Sequence, residues 1–413
     1  MSDPVTLQPR PYLLANRIQP YAWGEKGANA FIPRLLGTRG EAGRAYAELW
    51  MGAHPSAPSD VVLNGEAVPL LALLQQDPGP VLGEAVAQTS GGSFPFLFKV
   101  LSAGEALSIQ VHPNAEQARR LHAQDPAHYP DPNHKPEVAI ALDSLIALAG
   151  FRSFPALQTA LEAYPELSGF VDGEVHRRFR TAREPSEPEA RALVRELYTA
   201  LMTGSLTRAP EMERALATLA GRLRVARTLC EEEQLFLALS EQYPGDVGLF
   251  SLFFLNLVHL RAGQGIFIDA GVPHAYLRGN IIECMAASDN VVRAGLTGKF
   301  KDVETLVRIL TYELGPVPIL EGCEEGGCVV YRTPAREFQV SCWTATSGAE
   351  RLERTGARPR ILLVTEGEVH VHGAAGALAL RQGQSALIPA VLEEYTLRAV
   401  AKVQLFTAQV PGK

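Results

Sequence analysis

A repeated phrase of eleven residues constrains this chain more than any other feature. Leu260-Arg261-Ala262-Gly263-Gln264-Gly265-Ile266-Phe267-Ile268-Asp269-Ala270 aligns with Leu380-Arg381-Gln382-Gly383-Gln384-Ser385-Ala386-Leu387-Ile388-Pro389-Ala390. Each copy reads as a strand, a glycine turn that tolerates positive φ, and an apolar strand suited to a barrel interior. Two hairpins alike by chance are the plain alternative; two related small β-barrels are the sharper reading. The copies part where chemistry would sit. The first continues Gly271-Val272-Pro273-His274 and the second Val391-Leu392-Glu393-Glu394, so the second offers no imidazole there and reads as structural.

At 413 residues the chain has room for roughly three domains. Apolar residues make up 46 % and charged residues 20 %, enough to bury a core, so dominant disorder is excluded. From Ile18 to Gly150 short apolar segments are broken by Gly and Pro, as in Phe94-Pro95-Phe96-Leu97-Phe98-Lys99-Val100-Leu101, and read as strands and turns. From Phe154 to about Leu239 the spacing turns helical: Leu193, Val194, Leu197 and Leu201 recur on one face, as do Leu216, Leu219 and Leu223. Ser186 before Glu187-Pro188-Glu189 predicts a capped helix start. Strand texture then returns from Leu260 to Phe406. The fold expected is mainly β with an α-helical insert: two cupin or jelly-roll β-barrels plus a helical domain.

With 45 acidic against 38 basic residues, a general nucleic-acid binder and a protein held on anionic lipid by charge are both disfavoured. Five cysteines without a CxxC pair suggest reduced thiols in the cytoplasm rather than disulfides or a thiolate zinc site. Met1 to Ile18 contains no apolar stretch resembling a signal sequence. The longest apolar run, Gly248 to Leu260, is interrupted by Ser251, Asn256 and His259 and falls short of the about 20 residues needed to span a bilayer.

Polar residues concentrate in three clusters. In Leu107-Ser108-Ile109-Gln110-Val111-His112, strand alternation puts Ser108, Gln110 and His112 on one face. Inside a barrel such a row needs hydrogen bonds or a ligand. Tyr129-Pro130-Asp131-Pro132-Asn133-His134-Lys135-Pro136-Glu137 holds charged groups in a proline-stiffened turn. His274-Ala275-Tyr276 leads through Glu283 to Ser288-Asp289-Asn290-Val291-Val292-Arg293-Ala294-Gly295. His112, Glu137 and His274 suit a divalent first-row metal, with Gln110 as a fourth, amide-oxygen ligand. His54, His122, His128, His176 and His259 lack such a setting and read as structural or surface residues. His370 and His372 share a strand face but lack a companion ligand.

These clusters carry a resemblance. Tyr129 to Glu137 and His274 to Thr297 resemble the two signature segments of type I mannose-6-phosphate isomerase, supported by Pro20-Tyr21-Ala22-Trp23-Gly24, Glu48-Leu49-Trp50-Met51-Gly52 and Phe96 to His112. One departure stands out: Gly298 precedes Lys299 where the family usually has proline. The resemblance implies interconversion of mannose 6-phosphate and fructose 6-phosphate, with one Zn²⁺ per subunit on Gln110, His112, Glu137 and His274. It implies a catalytic arginine at Arg293, and a sugar-phosphate pocket lined by Lys99, Ser108, Lys135, Glu283, Asp289 and Lys299, to which we add Tyr276. It also implies a catalytic barrel from residues 1–24, 82–152 and 262–318, a helical domain over 153–261, and a non-catalytic barrel from 25–81 and 319–413. A cytoplasmic monomer acting on a small sugar phosphate, in nucleotide-sugar supply or mannose use, is the corresponding expectation.

The implied reaction moves a proton from C2 to C1 through a cis-enediol and needs no redox cofactor. Glu283, Asp289, His134 and Lys135 are all suitable types for the proton shuttle, with Glu283 preferred and Lys135 its rival. Lys299, Lys99 and Ser108 suit phosphate anchoring, and no Gly-rich phosphate loop suggests a nucleotide. Two His and one carboxylate in a cupin also suit a non-haem iron(II) oxygenase, and a non-catalytic sugar-phosphate-binding cupin is a third reading. The surplus of lysine and arginine around the site favours an anionic sugar over the oxygenase.

Overall fold

The short apolar runs become antiparallel strands, and the 3.6-residue periodicity between them becomes helices, in a computed structural model that describes residues 7–412. Met1–Thr6 and Lys413, the outer ends of the first and last expected segments, lie outside the described residues.

A ten-stranded sheet carries Gln110, Glu137 and His274, and His112 directly follows one of its strands. Its central strands, Phe96–Ala103, His274–Ala286 and Glu137–Phe151, pair antiparallel side by side. Gly265–Ile268 and Leu255–Arg261 pair with the two halves of Glu137–Phe151. The short strand Ile109–Val111 bridges His274–Ala286 and Val292–Gly295. Ile109 and Val111 are fully buried and share one apolar core with Tyr198, Phe250 and Phe253. The helical region therefore backs the strand that presents Gln110 and leads into His112.

The long helices arise where the periodicity predicts. Shorter ones interrupt the regions read as strands and turns, at Phe31–Leu35, Leu70–Gln76, Pro78–Leu82, Glu84–Thr89, Ala115–Gln124 and Val303–Ile309, each too short for its period to stand out in sequence. Glu187–Thr207 starts in a capping box in which the Glu189 carboxylate accepts from Ser186 N (3.0 Å) and Ser186 Oγ (2.7 Å). Leu193, Val194, Leu197 and Leu201 are its buried face, and Leu216, Leu219 and Leu223 that of Ala209–Arg224.

A nine-stranded sheet gathers the C-terminal strands Cys323–Glu325, Cys328–Tyr331, Gln339–Ala345, Arg360–Glu366, Ser385–Ile388 and Val403–Gln409. Tyr12–Ala15, Asp60–Leu63 and Glu66–Pro69 complete it. A four-stranded sheet holds Glu350–Arg354, Glu368–Gly373, Gly376–Arg381 and Glu394–Ala399. Strand pairing crosses the segment boundaries expected from sequence. Tyr12–Ala15 joins the C-terminal strands through Ser385–Ile388, whereas Glu48–Met51 joins the ten-stranded sheet through Phe96–Ala103. Both are strands of four residues whose partners lie far along the chain, so local pattern could not assign them.

The eleven-residue repeat has the same backbone in both copies. Gly263 and Gly383 stand at φ +84° and +80°. In each copy the glutamine after the glycine accepts, through Oε1, from the arginine N–H three residues earlier (Gln264 from Arg261, Gln384 from Arg381, both 2.9 Å).

Glycine is required at Gly279, in the middle of His274–Ala286. Its φ is +132°, and a Cβ there would lie 2.0 Å from the Ser144 carbonyl, where the pairing with Glu137–Phe151 shifts register. Gly279→Ala is expected to destabilise the protein by at least about 2 kcal/mol, combining an unfavourable φ with a backbone clash. Thermal or urea unfolding reads this directly.

Candidate active site

Three strands bring the donors together. His274 opens its strand opposite Gln110 and Ala149, and Glu137 opens the neighbouring strand opposite Met285. His112 lies one residue beyond Ile109–Val111. His112, Glu137 and His274 are fully buried, and their ligand atoms all lie within 4.8 Å of one another. His112 Nε2 is 3.3 Å from Glu137 Oε2, and His274 Nε2 is 3.1 Å from Glu137 Oε1. The Gln110 carboxamide reaches His274 Nε2 at 3.3 Å.

Both imidazoles are oriented from behind. His112 Nδ1 faces the Asn290 carbonyl at 2.8 Å and His274 Nδ1 faces the Val272 carbonyl at 3.0 Å. A carbonyl can only accept, so each ring carries its proton on Nδ1 and turns the Nε2 lone pair towards Glu137. Burial, then the Lys135 ammonium, pushes the His112 pKa down to about 4, which keeps the ring neutral. Burial alone would raise the Glu137 pKa, but the positive charge beside it, Lys135 foremost, holds it well below the usual carboxylate range. Two imidazoles whose Nε2 atoms face one carboxylate form a donor set that zinc accepts. Among the described residues this is the one compact group of three or more His, Cys, Asp and Glu donors.

Charge around the donors is dense. Lys135 Nζ is 2.8 Å from Glu137 Oε2 and 3.4 Å from His112 Nε2. Tyr276 donates its hydroxyl to Glu137 Oε1 at 3.1 Å, and burial followed by the Glu137 charge raises its pKa well above normal. Glu283 lies opposite Lys99 in the sheet register, with Lys99 Nζ 2.9 Å from its Oε2. Burial, reinforced by Glu137 and partly offset by Lys99, raises the Glu283 pKa. Glu48, Glu137 and Glu283 against Lys99 and Lys135 leave one buried negative charge in excess when all are ionised. A divalent cation reverses that excess and suits the pocket to an anion.

The remaining expected residues are placed less uniformly. Arg293 is half-buried, opposite Gln110 in register; burial lowers its pKa, and among the described residues no carboxylate pairs with it. Ser108 is half-buried next to Ile109–Val111. Lys299 is exposed, in a turn closed by its N–H donating to Thr297 Oγ1 (3.1 Å). Just beyond the turn the chain is anchored by the Phe300–His128 stack (4.0 Å between centroids) and by Lys301 on Asp246 (2.9 Å). His134 points to Glu337, on the approach to Gln339–Ala345, with Nε2 2.8 Å from Oε1.

Four residues at the site had no assigned role in sequence. Glu48 takes the indole N–H of Trp50 and stands 3.6 Å from Lys99 Nζ, which lies over the Trp50 ring. His54, read from sequence as structural, pairs with Asp289 at 3.0 Å and packs edge-on to Trp50. Its hydrogen bond keeps the Asp289 carboxyl below its ordinary range. Tyr21 titrates above its ordinary value through burial and then the Glu48 charge, with Lys99 and Asp289 also in range. The signals available for Glu48, Trp50 and Tyr21 were the Glu48–Gly52 and Pro20–Gly24 segments that carry the resemblance; His54 had none.

Known proteins now bear on these contacts. Residues 12–154 match the family description "Phosphomannose isomerase type I, catalytic domain", and residues 170–255 the corresponding helical insertion domain. The chain is 36 % identical to mannose-6-phosphate isomerase 2 of Arabidopsis thaliana, over 96 % of this chain and 92 % of that one. It is 38 % identical to mannose-6-phosphate isomerase of Schizosaccharomyces pombe, over 89 % and 92 %. The chain belongs to the type I phosphomannose isomerases. Its fold superposes on a mutant phosphomannose isomerase from Salmonella typhimurium with a TM-score of 0.85 and 32 % identity, covering 97 % of this chain and 100 % of that one. A zinc-bound mannose 6-phosphate isomerase superposes with a TM-score of 0.84 and 32 % identity over the same shares.

The C-terminal copy of the repeat shows what replaces the donors. Glu137 stands opposite Ile268, and its counterpart opposite Ile388 is Arg360. His274 stands opposite Gln110, and the corresponding pair is Glu394 and Arg354. Arg354 Nε bonds Glu394 Oε2 at 3.0 Å, and Arg360 Nη1 bonds Glu353 Oε2 at 2.5 Å and the Tyr395 hydroxyl at 3.2 Å. Ion pairs fill the positions that hold metal donors in the first copy.

The His134–Glu337 pair ties the site turn to the C-terminal sheet. Glu337 raises the His134 pKa, so that contribution is complete below the unfolded imidazole value of about 6.5 and is lost as pH rises through the raised folded value. Burial opposes ionisation of Glu337, but His134 holds its pKa low, so its contribution is present above the ordinary carboxylate range and fades as pH falls through the lowered value. With side chains 35 % and 27 % exposed, solvent screens the pair. Glu337→Gln is expected to cost at most about 1 kcal/mol near pH 6 and less at pH 8.5. Thermal melts at the two pH values measure the difference, and an equal cost at both would rule out an ionic link.

Proposed function

We propose that the chain interconverts mannose 6-phosphate and fructose 6-phosphate at the His112–Glu137–His274 centre, with one zinc ion per subunit and Gln110 as the fourth protein donor. The observation that carries this reading is the fully buried, Nδ1-anchored pair of imidazoles on one ionised carboxylate, set among lysines and an arginine. It is supported by family membership along nearly the whole chain. Bound zinc would supply a fixed positive field for the oxyanion that develops as a carbonyl becomes an enediol.

The chain's own groups provide the rest. Glu283, with its pKa raised by burial, is suited to take the C2 proton and return it at C1 of a cis-enediol. Lys99 holds the Glu283 carboxylate in place, and Lys135, Asp289 and His134 are the other proton-carrying candidates. Lys135 and Tyr276 orient Glu137. Arg293, half-buried and without a carboxylate partner among the described residues, is available to the substrate's developing negative charge. Lys299, exposed at the rim, and Ser108 are the phosphate anchors. Lys99 is committed to Glu283 and Glu48, which leaves it less free for phosphate than its charge suggested.

In domain terms the proposed plan is two cupin barrels and a helical domain: residues 1–24, 82–152 and 262–318 for the catalytic barrel, 153–261 for the helices, and 25–81 with 319–413 for a structural barrel, with Tyr12–Ala15 pairing into the C-terminal strands and Glu48–Met51 into the ten-stranded sheet. No helix among the described residues is long and apolar enough to cross a membrane, and all five cysteines are free thiols, which accords with a reducing cytoplasm.

Removing metal with a chelator is expected to abolish mannose 6-phosphate isomerisation in a coupled assay, and Zn²⁺ to restore it. Full activity in rigorously metal-free protein would sink the reading. Arg293→Ala is expected to lower kcat by about 10²-fold or more, the scale of losing one preorganised charge at an oxyanion, while zinc stays bound. An unchanged kcat would remove Arg293 from the chemistry.

A further inference from the structure

Asp131 touches none of the donors, yet its carboxylate collects four hydrogen bonds. Oδ1 accepts from Ser288 Oγ (2.8 Å), Asn133 N (3.0 Å) and Asn290 Nδ2 (3.2 Å), and Oδ2 accepts from Asp289 N (2.8 Å). The Asp131 carbonyl takes a further bond from Asn290 Nδ2 at 2.7 Å, and the Asn133 carbonyl takes one from the same amide at 2.9 Å. Asn133 Nδ2 completes the lacing by donating to the Ala287 carbonyl at 3.1 Å. Two segments about 157 residues apart, 131–133 and 287–290, are thereby sewn into one unit. Asn290 is fully buried at its centre, and its carbonyl is the group that receives the His112 Nδ1 proton.

We propose that Asp131 is a positioning residue for the metal centre. By clamping the 288–290 turn it fixes the Asn290 carbonyl, and that carbonyl sets the tautomer and ring plane of His112. The same clamp carries Asp289 to His54 at the edge of the site and steadies the run into Lys135 and Glu137. The inference rests on the zinc reading above. Its chemistry is simple: a carboxylate can accept from several converging N–H and O–H groups at once, which a neutral side chain of the same size cannot match. Partners behind a metal ligand typically contribute 10- to 100-fold in affinity.

The test compares zinc transfer from holoenzyme to a chromogenic chelator in wild type, Asp131→Ala, Asp131→Asn and Asn290→Ala, with the visible spectrum of the Co²⁺-substituted proteins as a second readout. Asp131→Ala and Asn290→Ala are expected to bind zinc about 10- to 100-fold more weakly, with an altered Co²⁺ spectrum. Asp131→Asn keeps one acceptor oxygen for Ser288 and Asn290 and is expected to fall between wild type and Asp131→Ala. Asp143→Ala serves as the control. Asp143 clamps Asn280 in the same sheet (2.7 Å) without reaching a donor, so its loss should lower stability but leave zinc affinity and the Co²⁺ spectrum unchanged. Zinc affinity within twofold of wild type in both Asp131→Ala and Asn290→Ala would overturn the proposal; if Asp131→Ala does not fold, Asn290→Ala alone decides. A wild-type protein that binds no zinc would overturn the underlying reading instead.

Discussion

Everything in the site depends on keeping an ionised carboxylate, Glu137, where no water reaches it. An isolated buried charge would be prohibitively costly, so it must be paired and hydrogen-bonded. Lys135 and Tyr276 donate to its two oxygens at 2.8 and 3.1 Å, while the Nε2 atoms of His112 and His274 face them at 3.3 and 3.1 Å. The remaining charges follow from this. Lys99 compensates Glu283 and Glu48 in the same pocket, and the residual negative charge favours a divalent cation. Once the cation is counted, the pocket of an acidic protein becomes locally positive, which is what an anionic sugar phosphate requires.

The internal repeat shows the same scaffold with the opposite solution. Both copies keep the glycine at positive φ and the glutamine that closes the turn. At the donor positions the C-terminal copy has Arg360, Glu394 and Arg354, which satisfy one another and Glu353 through ion pairs. A guanidinium where the first copy has a carboxylate excludes a cation. The hairpin is shared, and the side chains on the strands around it differ: donors in one copy, ion pairs in the other.

Much of the site could be read from the chain alone because its signals are local. Alternation put Gln110 and His112 on one face, and prolines around Lys135 and Glu137 marked a rigid turn. Helical periodicity and the Ser186 cap located the insert, and family membership bears out the activity those motifs implied. Glu48, Trp50 and Tyr21 escaped notice except as part of the resemblance, and His54 except as a structural residue, because their partners, Lys99 and Asp289, sit across sheet pairings far along the chain. Strand membership escaped for the same reason: four-residue strands such as Tyr12–Ala15 and Glu48–Met51 take their place from distant partners, not from their own pattern.

The sequence by itself determined which donors exist, the spacing that places them at strand ends, and the hairpin chemistry that both copies share. These are short-range matters of alternation, turn residues and side-chain type. Only the tertiary structure decided that Lys99 is held by two carboxylates, that His134 is engaged by Glu337, and that Asp131 braces the turn behind His112. Each of these is a contact between groups brought together by sheet pairing over long sequence separations, and charges in a buried pocket take their roles from the neighbours that the fold supplies.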